Sequence, residues 1–123
     1  MTIIEAINRI DSLKPNNYTQ EEKMRWLSNL DGIIEKEIID THEGAENVVF
    51  NGYDADTPLD TVLLVPNPYD DIYIKWLEAQ IDYANADTKR YTNSMIMYNT
   101  AYSAFERFYN RTNMPKGKSF KYF

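Results

Sequence analysis

The 123-residue chain contains no cysteine. This excludes disulfides, thiolate metal sites and thiol nucleophiles, and fits a reducing compartment. Histidine occurs once, at His42. A catalytic role for it would need a carboxylate or nucleophile brought alongside, and no partner motif accompanies it. Its place near the expected end of a helix suits a structural role instead. Only four glycines are present, and they do not cluster into a phosphate-binding loop. No apolar run approaches the roughly 20 residues that span a bilayer. The start, Met1 to Ala6, lacks the basic segment and long apolar core of a signal peptide. Asn17-Tyr18-Thr19 and Asn110-Arg111-Thr112 match the glycosylation pattern, which has no expected use without such a signal.

Apolar material is plentiful: 43% of residues are hydrophobic, enough to fold one domain with a genuine core. Ten tyrosines and two tryptophans give many of these surfaces a polar tip, which suits interfaces as well as cores. Charge is unevenly placed. Residues 1–87 hold 18 of the 19 acidic residues, whereas residues 88–123 hold one acid and seven bases. An acidic body therefore precedes a basic last segment, suited to meeting an acidic neighbour within one fold or between copies.

Helical periodicity organises most of the chain. Thr2 and Glu5 form a capping box ahead of Ile3, Ile4, Ile7, Ile10 and Leu13, which share one helical face. Lys14-Pro15-Asn16-Asn17 ends that helix. A second box, Thr19 with Glu22, precedes the stripe Met24, Leu27, Leu30, Ile34 and Ile38, flanked by Trp26, Ile33 and Ile39. Gly32 interrupts this pattern at a cost of about 1 kcal/mol, for which a close helix crossing would compensate. Gly44 is the expected left-handed cap of this second helix.

Residues 45–68 break the pattern. Val48-Val49-Phe50 and Thr61 to Val65 are β-prone, and turn-forming residues separate them, so a loop or small hairpin is expected. A third helix begins at Pro68 or Tyr69, with Ile72, Tyr73, Trp76, Leu77, Gln80, Ile81 and Ala84 on one face. Asp87 caps a fourth, whose stripe of Tyr91, Met95, Tyr98, Tyr102, Phe105 and Tyr109 is widened by Met97, Ala101 and Phe108. The fold class is therefore mainly α: an antiparallel bundle of about four helices, with a loop or small β-hairpin between helices 2 and 3. Residues 1–112 form the bundle with an irregular insertion at 45–68, and residues 113–123 form a basic-aromatic arm. The expected core comprises Ile7, Ile10, Leu27, Leu30, Ile34, Ile38, Trp76, Leu77, Ile81, Met95, Tyr98, Tyr102 and Phe105.

Chemistry-bearing motifs are sparse. Asp54-Ala55-Asp56 with Asp60 opens like a calcium loop, but Pro58 and Leu59 stand where a ligand and a glycine are needed, and Val65 replaces the closing glutamate. No catalytic residue, cofactor or metal is expected, and the chain is read as a non-enzyme. The arm places Lys116, Lys118 and Lys121 among Phe120, Tyr122 and Phe123, a pattern suited to docking on an acidic protein surface.

Several segments resemble a known family. They are Tyr18 to Gly32, Ile38 to Gly44, Leu64 to Asp70, Trp76 to Tyr83 and Asn110 to Gly117. These are similar to small proteins encoded beside capsid genes in tailed phages and prophages of Gram-positive bacteria, the head-tail connector or adaptor group. The resemblance implies a helical structural protein of the virion, made in the bacterial cytoplasm. It would form a ring between portal and tail. Its partners would be other copies of itself, the portal protein and tail or stopper proteins, and DNA would pass through unread; no membrane is involved. The family supplies no active site. A ring needs two different surfaces of each copy to meet. Asp54, Asp56 and Asp60 of the acidic loop and the basic-aromatic arm are the expected contacts. The alternative is a small helical prophage-encoded interaction or regulatory protein that binds a host or phage protein.

Overall fold

A computed structural model describes residues 1–45 and 50–114. Four helices carry the fold: α1 (Ile3–Leu13), α2 (Gln20–Glu37), α3 (Ile72–Ala84) and α4 (Thr88–Thr112). The chain is a small, mainly helical bundle, and no strand occurs among the described residues.

At the start of α1, four backbone N–H groups need partners outside the helix. Thr2 and Glu5 form the expected capping box: Thr2 Oγ1 accepts from Glu5 N at 3.2 Å, and Glu5 Oε1 accepts from Thr2 N at 3.2 Å. Ile3 N and Ile4 N donate to Thr61 O and Leu59 O, at 3.0 and 2.9 Å. Leu63 N returns a bond to Met1 O, and Thr2 forms an isolated antiparallel bridge with Val62. The β-prone run from Thr61 thus pairs with the N-terminus, where unpaired amides attract its carbonyls. Val48 and Val49, the other half of the considered hairpin, lie outside the described residues.

Thr19 caps α2 by accepting from Glu22 N at 3.1 Å. The reciprocal half of that box is absent, since the Glu22 carboxylate turns to Arg25 at 3.5 Å. This helix ends at Glu37, earlier than the position of Gly44 suggested, and continues as a 3-10 turn over Ile39–Thr41. Side chains explain the early stop. Thr41 Oγ1 donates to Ile38 O at 2.7 Å, and His42 Nδ1 lies 2.6 Å from the same carbonyl. Gly44 does adopt a left-handed conformation, with φ of 87°.

No close helix crossing occurs at Gly32; a Cβ there would meet the Phe50 ring at 3.9 Å, an ordinary contact. A close helix crossing was expected there; the structure instead places the Phe50 side chain of the loop opposite Gly32, at a distance that still admits a Cβ.

The third helix follows a 3-10 turn, Tyr69–Asp71, and sits centrally, packed against α1, α2 and α4. Its burial is therefore not confined to one face. Ile74, Ala79 and Asp82 are buried, whereas Ala84, placed on the expected stripe, is exposed. Its C-terminus forms a Schellman motif: Asp87 N donates to Asp82 O and Ala86 N to Tyr83 O, both at 3.0 Å. Ala86 occupies the left-handed position, with φ of 57°.

The core follows the α1 and α2 stripes closely, with Ile3, Ile7, Ile10, Leu27, Leu30, Ile34 and Ile38 buried. Leu13, at the end of the α1 stripe, is exposed. On α4 only Tyr98 and Phe105 are fully buried; Met95 and Tyr102 are partly buried, as is Trp76 on α3. Met97 is exposed rather than part of the apolar stripe. The reason is that α4 packs on α3 and the 3-10 turn before it, with no comparable packing on α1 or α2. A helix with one main neighbouring helix buries a narrow seam.

Candidate partner-contact surfaces

Two surfaces with different origins stand out: an acidic loop held on α2, and the outward face of α4. The loop is anchored from below by a buried acid. Asp31 lies on the buried face of α2, with no exposure to solvent. Its Oδ2 accepts from Tyr53 Oη at 2.5 Å and from Leu64 N at 3.2 Å, and its Oδ1 accepts from Tyr73 Oη at 2.6 Å. Tyr73 Oη in turn accepts from Val65 N at 2.7 Å. One carboxylate thus joins α2, α3 and both arms of the 50–66 excursion.

Burial raises the Asp31 pKa above its ordinary value, and the bonds from Tyr53, Tyr73 and Leu64 pull it partly back. Burial also raises the Tyr53 and Tyr73 phenols, reinforced by the neighbouring Asp31 charge. Every group of this network has a hydrogen-bond partner, and together they tie the loop to α2 and α3.

At Gly52 the loop bends with φ of 90°, and an added Cβ would come within 3.3 Å of Ser28 Oγ. Glycine here lets the chain turn close to α2, so that Tyr53 N can donate to Ser28 Oγ at 3.0 Å. Beyond the bend, Asp54 Oδ1 accepts from Asp56 N at 2.9 Å, and Asp54 N donates to Thr57 Oγ1 at 2.9 Å. These bonds fix a turn that leaves Asp54, Asp56 and Asp60 exposed. Asp54 also borders a notch of about 220 Å³ between the loop and α2, with Glu21, Met24, Arg25 and Ser28.

The second surface begins at the elbow after α3. Asp87 Oδ1 accepts from Arg90 N at 3.1 Å and caps α4. At the far end, His42 Nε2 lies 2.7 Å from Asn110 Oδ1, and Tyr109 packs edge-on to the imidazole at 4.7 Å. The His42 ring is thereby fixed between the end of α2 and the end of α4, in a structural position. Inward, Trp76 meets Tyr98 at 4.9 Å, and Tyr69 stacks on Phe108 at 4.6 Å.

Outward, α4 exposes Ile96 and Met97, at 57% and 52%. At 100° per residue, Lys89, Ile96, Ser103 and Arg107 fall within about 20° of one line along the helix. A shallow groove there is bordered by Ile96, Asn99, Thr100, Ser103 and Arg107. Every described Lys and Arg that precedes α4 lies within 4.0 Å of a carboxylate. Arg90 pairs with its own cap, Asp87. Among the described residues, the cations without an ion pair are Lys89, Arg107 and Arg111, all on α4. Asp54, Asp56 and Asp60 likewise have no ion pair there, so the two surfaces do not meet within one molecule.

A hollow of about 520 Å³ at the elbow is bordered by Tyr83, Ala86, Thr88 and Tyr91, with Asp82 and Asp87. Both of its acids are occupied. Asp82 Oδ1 pairs with Lys14 at 2.5 Å, its Oδ2 accepts from Ser94 Oγ at 2.5 Å, and Asp87 holds Arg90. Among the described residues, no group of three or more His, Asp or Glu is placed to hold a metal. No helix of the described residues is long and apolar enough to cross a membrane.

The sequence singled out Asp54, Asp56 and Asp60, and the structure places them together on one exposed loop. Lys116, Lys118, Phe120, Lys121, Tyr122 and Phe123 lie outside the described residues. Sequence reasoning passed over Asp31, yet it lies four residues from Leu27, three from Ile34 and seven from Ile38, on the apolar stripe itself. An acid at such a position signals a buried network. These features define a small helical bundle with a buried carboxylate network that anchors an exposed acidic loop, and a separate outward face on α4. No protein-family model, curated protein or solved structure matches the chain.

Proposed function

We propose that this chain is a structural virion protein: a head-tail connector, or adaptor, that assembles as a ring between portal and tail. The observation that carries the reading is the one-sided packing of α4. A 25-residue helix, about 37 Å long, rests on α3 and turns outward a face bearing exposed Ile96 and Met97 and cations that have no ion pair among the described residues. The loop acids supply a surface of opposite sign elsewhere on the same chain. Two unlike surfaces on one subunit are what a cyclic, head-to-tail assembly requires. The resemblance of Tyr18 to Gly32 and Leu64 to Asp70, among other segments, to phage connector proteins is the reason for taking portal and tail proteins as the partners of this assembling subunit. An acidic lumen would repel passing DNA and let it through unread.

Imaging or cross-linking of purified virions tests the proposal. The chain is expected at the junction of head and tail, in contact with portal protein. Its absence from particles, together with capture of a host protein by a discrete monomer or dimer, would replace the connector by a regulatory binder.

A further inference from the structure

We infer that the outward face of α4 docks into the notch between α2 and the acidic loop of a second copy of this chain. The inference deepens the connector reading, and it rests on that reading for the premise that copies meet. Charge chooses the occupant. The line formed by exposed Lys89, Ile96 and Arg107 and half-buried Ser103, with exposed Arg111 beside it, carries no acid. The notch is bordered by Glu21 and Asp54, and Asp56 and Asp60 stand exposed on the same loop. The one cation at the notch, Arg25, is already paired with Glu22 at 3.5 Å.

Shape agrees with charge. Ile96 stands between the two cationic ends, about 10 Å from Lys89 and about 16 Å from Arg107 along the helix. It can rest against Ala55 and the small exposed part of Met24 in a notch that is otherwise polar, with the cations on either side facing the loop acids. The loop presents its acids in a fixed arrangement because Tyr53 is tied to Asp31 and Ser28. Little ordering is therefore left to be done on contact. Since the donor face and the receiving notch are different surfaces, the contact is heterologous and can repeat from copy to copy.

A charge exchange between two variants of the full chain tests this contact. The first carries Lys89→Glu, Arg107→Glu and Arg111→Glu. The second carries Asp54→Lys, Asp56→Lys and Asp60→Lys. Native mass spectrometry and light scattering follow assembly, and circular dichroism verifies the helical fold. Wild-type chains are expected to self-associate, more weakly as salt is raised. Each variant alone should associate at least about tenfold more weakly. Mixed, the two should assemble again in equal numbers, because each reversed surface then faces its complement. Ile96→Asp, which leaves the cations in place, should weaken wild-type association as well.

Wild-type chains that stay monomeric, variants that assemble like wild type, or a mixture that does not recover would each overturn the contact. The virion experiment is independent of these results. A chain found at the head-tail junction whose charge exchange fails keeps the connector and loses this contact. A chain absent from virions whose exchange succeeds does the reverse.

Discussion

Tyr73 on α3 donates its phenolic hydrogen to Asp31 on α2 across 2.6 Å, and neither residue is exposed to solvent. The same carboxylate holds Tyr53 and Leu64 N, so the central helix and the acidic loop share one anchor. Replacing Asp31 by Ala leaves these donors without an acceptor in the interior, at about 1–3 kcal/mol for each one left unsatisfied. Asp31→Ala should therefore destabilise the fold by roughly 3 kcal/mol or more, as measured by urea unfolding. A loss below about 1 kcal/mol would mean the loop is held by other contacts.

The same group sets a pH dependence of unusual sign. Burial raises the Asp31 pKa above its ordinary value of 3.8. The folded chain holds this proton where the unfolded chain has released it, so this group's contribution falls as pH rises through the window above 3.8. Most carboxylates act in the opposite sense. Asp31→Asn removes the titration. The stability difference, wild type minus Asp31→Asn, should therefore decline between about pH 4 and the folded-state value. Parallel unfolding curves over that range would contradict the raised value.

Gly32 is a helix-interior glycine with room for a side chain, since a Cβ would lie 3.9 Å from Phe50 Cε1. Alanine restricts the unfolded chain and fits the native backbone. Gly32→Ala should stabilise the protein by about 0.5–1 kcal/mol, seen as a higher thermal midpoint. A lower midpoint would show that Phe50 cannot give way.

Ala86 presents the converse case. It holds the left-handed position of a Schellman cap, with φ of 57°, where a Cβ is disfavoured by about 1–2 kcal/mol. Ala86→Gly relieves this, partly offset by the greater freedom of glycine in the unfolded chain. A net stabilisation of about 0.5 kcal/mol is expected in chemical denaturation. Destabilisation would mean that the Ala86 methyl makes a packing contribution at the elbow.

Phe105 is the most deeply buried residue of α4, at 1% exposure, and packs near Tyr69, Phe108 and Tyr109. Phe105→Ala should cost about 3–5 kcal/mol and release α4 from α3. Hydrogen exchange along α4 would register this as lost protection. An unchanged melting curve would mean that the helix is held by its ends alone.

The sequence by itself determined the helices and their order. Capping residues at Thr2, Thr19 and Asp87 and periodic apolar stripes are local signals, read within a few turns. The exposed acids Asp54, Asp56 and Asp60 were legible for the same reason, lying among turn formers. Only the tertiary structure decided that α3 would be central, that the Thr61 run would serve the amides of α1, and that α4 would have one main neighbouring helix. It also decided that Asp31, Tyr53, Tyr73 and Leu64 would share one carboxylate. These outcomes depend on partners brought together from distant parts of the chain, whose positions no local period encodes. Exposure of Met97 and Leu13 follows from the same cause: an apolar stripe states what could be buried, and the number of neighbouring helices sets how much of it is.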